Sequence, residues 1–542
     1  MKTKFRILLS AITFIAGVAL LFAALALPGR LAAQHNQGAN PNHHHYKLID
    51  MGTFGGPASF LVSPENARPA LNSRGTTVGG SSTNTPLSPT SDPFVCGGDE
   101  GLIPYVNHAF VWQHGLVLDL GALAPVMDHC SLATSVNASG EIAGISENSV
   151  VDPLLGLNEI RAVVWKSGEI KDLGTFGGTL SLAVGINNKG QVIGGALNNV
   201  PDPFSIFDFQ IAGSSNGTQT RAFVWQDGRM LDLGTLGGPD AFASWINEAG
   251  QIVGSSYTND IPNSSTGFPT YEPFLWENGE MQGLGSLGGV DGFVAGLNNR
   301  GQVIGGSSLA VDPGACFVNG SQEFGNPNCH PFLWDHGTLI DLNTSSTGGN
   351  PITVNVINDA GEIVGSADFS GNGGSSFNAY RWRNGVATDL GNLGDCYSKG
   401  HNINSRGQVV GATFLCDFSF SRAFLWENGS IVELNTLIPP GSSLQLTWAM
   451  AINDRGEIAG IGVPSGCAPQ DTVACGHAFL LIPCDENHPG VEGCDYSLVE
   501  APAVVAQPSV AIRSVTSRTL PQSLLRRMSR YHFPGRAFGP KG

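Results

Sequence analysis

Eight times along the chain an Asn is followed three residues later by Gly and then by a short apolar run. The Asn stands at 72, 137, 187, 247, 298, 358, 404 and 453. A residue kept for chemistry belongs in one special copy, whereas a residue kept for architecture belongs in every copy. A second pattern, Phe-aliphatic-Trp, alternates with the first. Its Trp is at 112, 165, 225, 276, 334, 382 and 426, and an eighth copy at 477–481 lacks the Trp. The third pattern is Asp-Leu-Gly or a relative, beginning at Asp50, Asp119, Asp172, Asp232, Gly283, Asp341, Asp389 and Glu433. Seven of the nine tryptophans are therefore architectural.

Each piece has a local physical reading. Asn opening a type I turn bonds its side chain to the following backbone, and Gly at the fourth position takes the left-handed conformation, so Asn-x-x-Gly is a tight hairpin. The β-branched run after it suits a strand that approaches other backbones closely at its Gly. Phe and Trp two apart share one face of a strand and fill the gap between stacked sheets. The turn that follows, such as Gln226-Asp227-Gly228, carries the Asp-Gly hairpin signal.

Four short antiparallel strands every 46 to 65 residues, eight times over, predict an all-β chain, a β-propeller of about eight blades, with seven the alternative. An open solenoid is the other architecture of this kind. The stretch 46–52 reads as an orphan fourth strand, and the last unit stops at a third strand, so pairing the two would close the ring and remove two strand edges.

Composition agrees. Of 542 residues only 13% are charged, 73 are Gly and 32 are Pro, yet 41% are hydrophobic, a turn-rich β composition too apolar for general disorder. Residues 1–33 carry four basic residues and 501–542 carry seven, neither with an acidic one. The rest of the chain thus holds 16 basic and all 44 acidic residues, a formal −28. Such a body repels phosphate and argues against nucleic acid; Ca²⁺ or cationic partners are compatible with it. Lys2, Lys4 and Arg6 before an apolar run at 7–27 read as an export signal, cleaved near Ala33, or else retained as a membrane anchor. The expected organisation is signal 1–33, linker 34–45, propeller 46–484, a cysteine-containing cap 485–500 and a basic tail 501–542. Within the tail, 522–533 reads as flexible chain or a short basic amphipathic helix.

Ten cysteines in an exported chain suggest disulfides. Cys316 and Cys329, Cys396 and Cys416, Cys467 and Cys475, and Cys484 and Cys494 are near neighbours, and Cys96 and Cys130 remain. Zinc is the alternative, but no Cys-x-x-Cys has a matching second pair. Connectivity stays open at this level.

The His-Ala-Phe tripeptides at 108–110 and 477–479, the Ala-Phe-x-Trp variants led by Arg221 and Arg422, and "DLGTLGG" at 232–238 resemble the HAF-repeat family of extracellular repeat proteins. The resemblance covers roughly 46–484. Departures occur at Glu272-Pro273-Phe274, at His330-Pro331-Phe332 and at the last copy without Trp. It implies secretion and β-repeats, and supplies no reaction.

The two tight turns of each unit share one face of the ring, so the long connections share the other: 81–107, 146–160, 196–220, 255–271, 307–329 and 366–378. Length variation on one rim is where a repeat protein usually binds, and eight of the cysteines would stiffen that rim. Asp-Pro recurs there at Asp92, Asp152, Asp202 and Asp312, as candidate Ca²⁺ ligands or plain turn formers; no calcium loop motif is present and no cofactor is required. His43-His44-His45 reads as a solvated linker tract in preference to a transition-metal site, and the His opening some Phe-x-Trp copies as a strand-edge residue. No catalytic motif stands out, so no catalytic residue is assigned. The expectation is a monomeric, exported scaffold binding an extracellular protein, glycan or surface partner through its long-loop face. The alternatives are a hydrolase or lyase acting on polysaccharide, and a structural surface or matrix component.

Overall fold

The computed structural model describes residues 42–62, 70–92, 95–96, 103–123, 128–204, 217–313, 316–318, 321–322, 328–343, 350–369, 377–468 and 471–500. Contacts divide the chain into Met1–Asn40 and Pro41–Gly542, and every described residue belongs to the second unit. The expected export signal and the basic tail lie outside the described residues. No helix among the described residues is long and apolar enough to cross a membrane.

Eight four-stranded antiparallel sheets follow one another in chain order, making a β-propeller of eight blades and not seven. Blades 1 to 7 span 55–119, 131–172, 177–232, 241–283, 288–341, 350–389 and 397–433. Blade 8 takes three strands from the C-terminal side, Leu444–Ile452, Ile458–Pro464 and His477–Pro483, and its fourth, Tyr46–Asp50, from the N-terminal side. The register Tyr46↔Pro483 to Asp50↔Phe479 is the closure expected from the two incomplete ends. In blades 2 to 8 the first strands of successive blades touch one another, while fourth strands such as Glu169–Asp172 are exposed, so the first strand is innermost.

The packing follows from the repeated residues. In seven of the eight copies the ring at the Phe position is at most 1% exposed, Phe110, Phe223, Phe274, Phe332, Tyr380, Phe424 and Phe479, and blade 2 has Val163, also buried, in its place. Phe223 and Trp225 fall in one cluster with Ile186 and Val192, as two residues on one strand face should. The second-strand Gly opposite each ring is sterically required. A Cβ on Gly411 would lie 2.0 Å from the Lys399 carbonyl and 2.8 Å from the Phe424 ring, so any side chain would displace backbone. A bulge in the first strand, as between Ala133 and Ser135, brings that carbonyl inward.

Two turn types complete each blade as their sequences demand. The Gly of all eight Asn-x-x-Gly turns has φ between 73° and 94°. After each Trp the turn has two consecutive positive φ values, as at Asp227 (51°) and Gly228 (86°), the twist that matches a two-residue hairpin.

Candidate functional site

The repeated polar residues are occupied by the architecture. In every copy the Asn Oδ1 accepts the N–H four residues on, at 2.9–3.1 Å. Its Nδ2 donates to the backbone carbonyl of the same Asn in the next blade, also at 2.9–3.1 Å. Eight such bonds make a closed ring on the short-turn face. In blades 1, 3, 5, 6 and 7 the residue that opens the Phe-x-Trp copy is no free edge residue either, because it pairs with the acid of the Asp-Leu-Gly copy 11 residues later, whereas in blade 2 Arg161 donates to Glu159 at 2.6 Å. His108 Nδ1 lies 2.8 Å from Asp119 Oδ2, and His330 Nδ1 2.8 Å from Asp341 Oδ2; Arg221 Nε donates to Asp232 Oδ2 at 2.9 Å. In blade 8 the same pair spans the closure, with His477 Nδ1 2.9 Å from Asp50 Oδ1. Burial alone would raise the Asp50 carboxyl, but hydrogen bonds from His477 and the Gly52 N–H outweigh it and hold the group below its ordinary range.

The long-loop face, where the sequence places binding, is described in part. The four near-neighbour cysteine pairs are disulfides, Cys316–Cys329, Cys396–Cys416, Cys467–Cys475 and Cys484–Cys494, and the two remaining cysteines form the fifth, Cys96–Cys130. The four Asp-Pro aspartates act locally. Asp152 accepts the N–H of Leu154 at 2.8 Å and of Leu155 at 2.9 Å, and the Thr179 hydroxyl on its other oxygen. Asp202 accepts the Phe204 N–H at 3.0 Å, Asp312 accepts Asn328 Nδ2 at 3.3 Å, and buried Asp92 takes the Cys96 N–H on its carbonyl at 3.1 Å. None of the four belongs to a group of three potential metal ligands among the described residues. The group that exists, Cys96, Cys130 and Glu147, has both sulfurs in a disulfide.

Two groups on this side had no sequence signal. Glu147 is fully buried and accepts the Asp92 N–H at 2.5 Å and the Cys130 N–H at 2.6 Å, tying together the loops that the disulfide joins. Burial pushes its carboxyl up to about 7 against those bonds. Burial likewise pulls the Lys399 ammonium, on the first strand of blade 7, down to about 7.

A polar cleft of about 500 Å³ opens on the opposite, short-turn face. It exists because blade 8 is built from both ends of the chain. Where other blades turn from third to fourth strand, here one segment leaves at Pro483 and another arrives at Asn42. Short turns of blades 7 and 8 contribute Arg406, Gln408, Glu427, Asn428 and Gly456, and blade 6 contributes Arg381. Asp485 to Asn487 form the far wall.

This arrangement corrects the reading of 34–45 as linker as far as 42–44, which form a strand paired with Leu498–Glu500. His43 is 0% exposed, with Nδ1 2.8 Å from Glu427 Oε1, while Gln408 Nε2 donates to Glu427 Oε2 at 2.5 Å. Burial opposes the charge on Glu427, but these two bonds prevail and lower its carboxyl. On the far wall Asp485 Oδ1 lies 2.7 Å from His488 Nδ1, whose Nε2 is 3.5 Å from Glu457 Oε1. Glu457 accepts Asn453 Nδ2 at 2.6 Å, so the cap is wired into the asparagine ring. The Cys484–Cys494 disulfide and the bond from Cys484 N–H to the His45 carbonyl (2.8 Å) fix its position. Arg381 donates to Glu362 at 2.6 Å and sits over Trp426, 5.5 Å from the ring centre. The Arg406 guanidinium has no hydrogen-bond or ion-pair partner among the described residues.

No protein-family model matches the chain, and no curated protein does. Solved structures with a likeness include the β-propeller domain of the Trilobed protease from Pyrococcus furiosus (12% identity, TM-score 0.38, covering 72% of this chain and 95% of that one). The acylaminoacyl peptidase of Pyrococcus horikoshii is another (13%, TM-score 0.36, 67% and 54%). A third is the gluconolactonase XC5397 from Xanthomonas campestris (10%, TM-score 0.25, 66% and 90%). At such identities and scores none of their chemistry carries over.

Proposed function

We propose that this chain is an exported, non-catalytic propeller that binds an extracellular ligand, and that the seam cleft on its short-turn face is the seat. One observation carries the reading. The repeated asparagines and the His, Arg and Asp residues paired within blades are consumed by bonds within and between blades, whereas the cleft gathers polar side chains at a place where the repeat is broken, one of them Arg406, unpaired among the described residues. Five disulfides fit an oxidising, extracytoplasmic compartment. Stapling the cap also lowers the ordering cost of binding.

The carboxylates favour binding over polysaccharide cleavage. Glycoside hydrolysis needs one carboxyl protonated and one ionised. In the cleft Glu427 and Asp485 are both held below the ordinary range: in each, burial is outweighed by hydrogen bonds, chiefly from His43 and His488. Glu147 has the raised value of a general acid, but both of its oxygens accept backbone N–H groups and no part of it is exposed.

The test is co-sedimentation of the purified chain with cell-wall and extracellular-matrix material, comparing wild type with Arg406→Ala and Asn487→Ala. Both residues are exposed at the cleft, so the fold should tolerate the changes. Binding that is lost in the variants supports the cleft, and binding that survives both changes refutes it.

A further inference from the structure

We propose that the seam cleft takes a short acidic saccharide, with a sugar ring against Trp426 and its carboxylate on Arg406. This rests on reading the cleft as the ligand seat. Its volume, about 500 Å³, falls in the range of about 300–1,000 Å³ usual for ligand sites, but its walls are unlike those of an apolar pocket. Asn42, Asn428 and Asn487 line it with planar amides, each carrying a donor and an acceptor side by side, while the Gln408 amide is engaged by Glu427 and Asn404. Vicinal hydroxyls of a sugar present the same pairing. An apolar ligand would strip water from these amides and return no hydrogen bond in its place.

Trp426 is the aromatic side chain that a sugar's C–H surface can pack against; Arg381 over the indole holds its orientation. The acidic preference follows from accounting for the charges. Arg381 is neutralised by Glu362, Glu427 is engaged by His43 and Gln408, and Asp485 by His488. What remains is Arg406, the His44 imidazole that also lines the cleft, and Glu486, exposed, on the far wall. Arg406 offers a planar fork that matches a carboxylate bidentately, and Glu486 penalises any ligand whose charge is misplaced toward it. Recognition would thus be local, within a body that repels polyanions at long range.

The experiment is calorimetric titration of the full chain with an oligogalacturonate of two to four residues and with the matching neutral oligogalactoside. The acidic oligomer should bind about tenfold or more tightly than the neutral one, and Arg406→Ala should abolish that difference, with Arg406→Lys restoring part of it. Binding should weaken as salt is raised. Equal affinity for both oligomers, or an unaltered preference in Arg406→Ala, overturns the acidic assignment. If neither saccharide binds while cell-wall or matrix material still sediments with wild type and not with Arg406→Ala, the saccharide class is wrong and the seat stands. If that material is also indifferent to the variants, the seat itself falls.

Discussion

Asn453 donates its side-chain amide to the backbone carbonyl of Asn72 at 3.0 Å, joining residues 381 positions apart. The bond is the last link of the eight-asparagine ring and bridges blade 8 to blade 1, close to where the N-terminal strand completes blade 8. The ring is closed twice, by main-chain pairing on the outer side of blade 8 and by side-chain amides near the axis.

Asn453→Ala should therefore be costly. It leaves the buried Asn72 carbonyl and Glu457 Oε2 each without the amide that donates to it, and removes the acceptor for the Arg455 and Glu457 N–H groups. A loss of about 2–4 kcal/mol is expected from two or more unsatisfied buried groups. Asn188→Ala, which removes one exposed inter-blade bond to the Ala138 N–H, should cost less than about 1 kcal/mol. Urea midpoints of the two variants should differ accordingly, and similar midpoints would deny the ring its role in closure.

Blade 4 offers an internal control on the pairing between the Phe-x-Trp and Asp-Leu-Gly copies. Its opening residue is Glu272, and the partner position holds Gly283 in place of Asp. A Cβ at Gly283 would lie 3.1 Å from Glu272 Oε2, so Gly283→Asp would set two carboxylates against each other. That variant should lose roughly 1 kcal/mol. Adding Glu272→His should restore it by rebuilding the pair seen at His108 and Asp119. A double-mutant cycle in thermal melts measures the coupling, and a value near zero removes the pairing rule.

Glu147 predicts a pH dependence. Burial raises its carboxyl from 4.5 to about 7, so between those values the folded chain keeps a proton that the unfolded chain has released. Its contribution to stability is then full below about 4.5 and is lost as pH rises through about 7. Wild type should lose more stability between pH 5 and pH 8 than Glu147→Gln does, whatever the variant's absolute stability. Urea midpoints at the two values check this, and parallel responses would assign the slope elsewhere.

Ser167 holds φ 54° in the hairpin after Trp165, where blades 3, 4, 6 and 7 place Asp227, Asn278, Asn384 and Asn428. Asn and Asp tolerate the left-handed region better than Ser does. Ser167→Asn should stabilise by about 0.5 kcal/mol, read as a higher melting temperature. An unchanged or lowered value would show that the turn is not strained.

The repeat count, the strand pattern, the two turn types, the buried aromatic ring and the closure by Tyr46–Asp50 were legible in the residues, because each depends on contacts within a blade or on the phase of the repeat. Four of the five disulfides were legible as near-neighbour pairs for the same reason, and Cys96–Cys130 only as the pair left over. The His-to-Asp pairing was present in the sequence as co-occurrence, with Glu272 opposite Gly283 its plainest trace, yet reading each motif alone hid it.

The second job of each asparagine was not legible. Its turn-forming bonds reach four residues along the chain, but its Nδ2 partner lies in another blade, 46 to 65 residues away or, at the closure, 381. The same holds for the cleft. In the sequence, the long and variable loops fall on the face that carries the Asp-Pro turns. The polar cleft lies on the other face, assembled from segments on either side of the ring closure, blade 6 and the short turns of blades 7 and 8. Local chemistry determined the bricks and their number. Only closing the ring decided which polar groups would be spent between blades, and which, like Arg406, would be left facing a cavity.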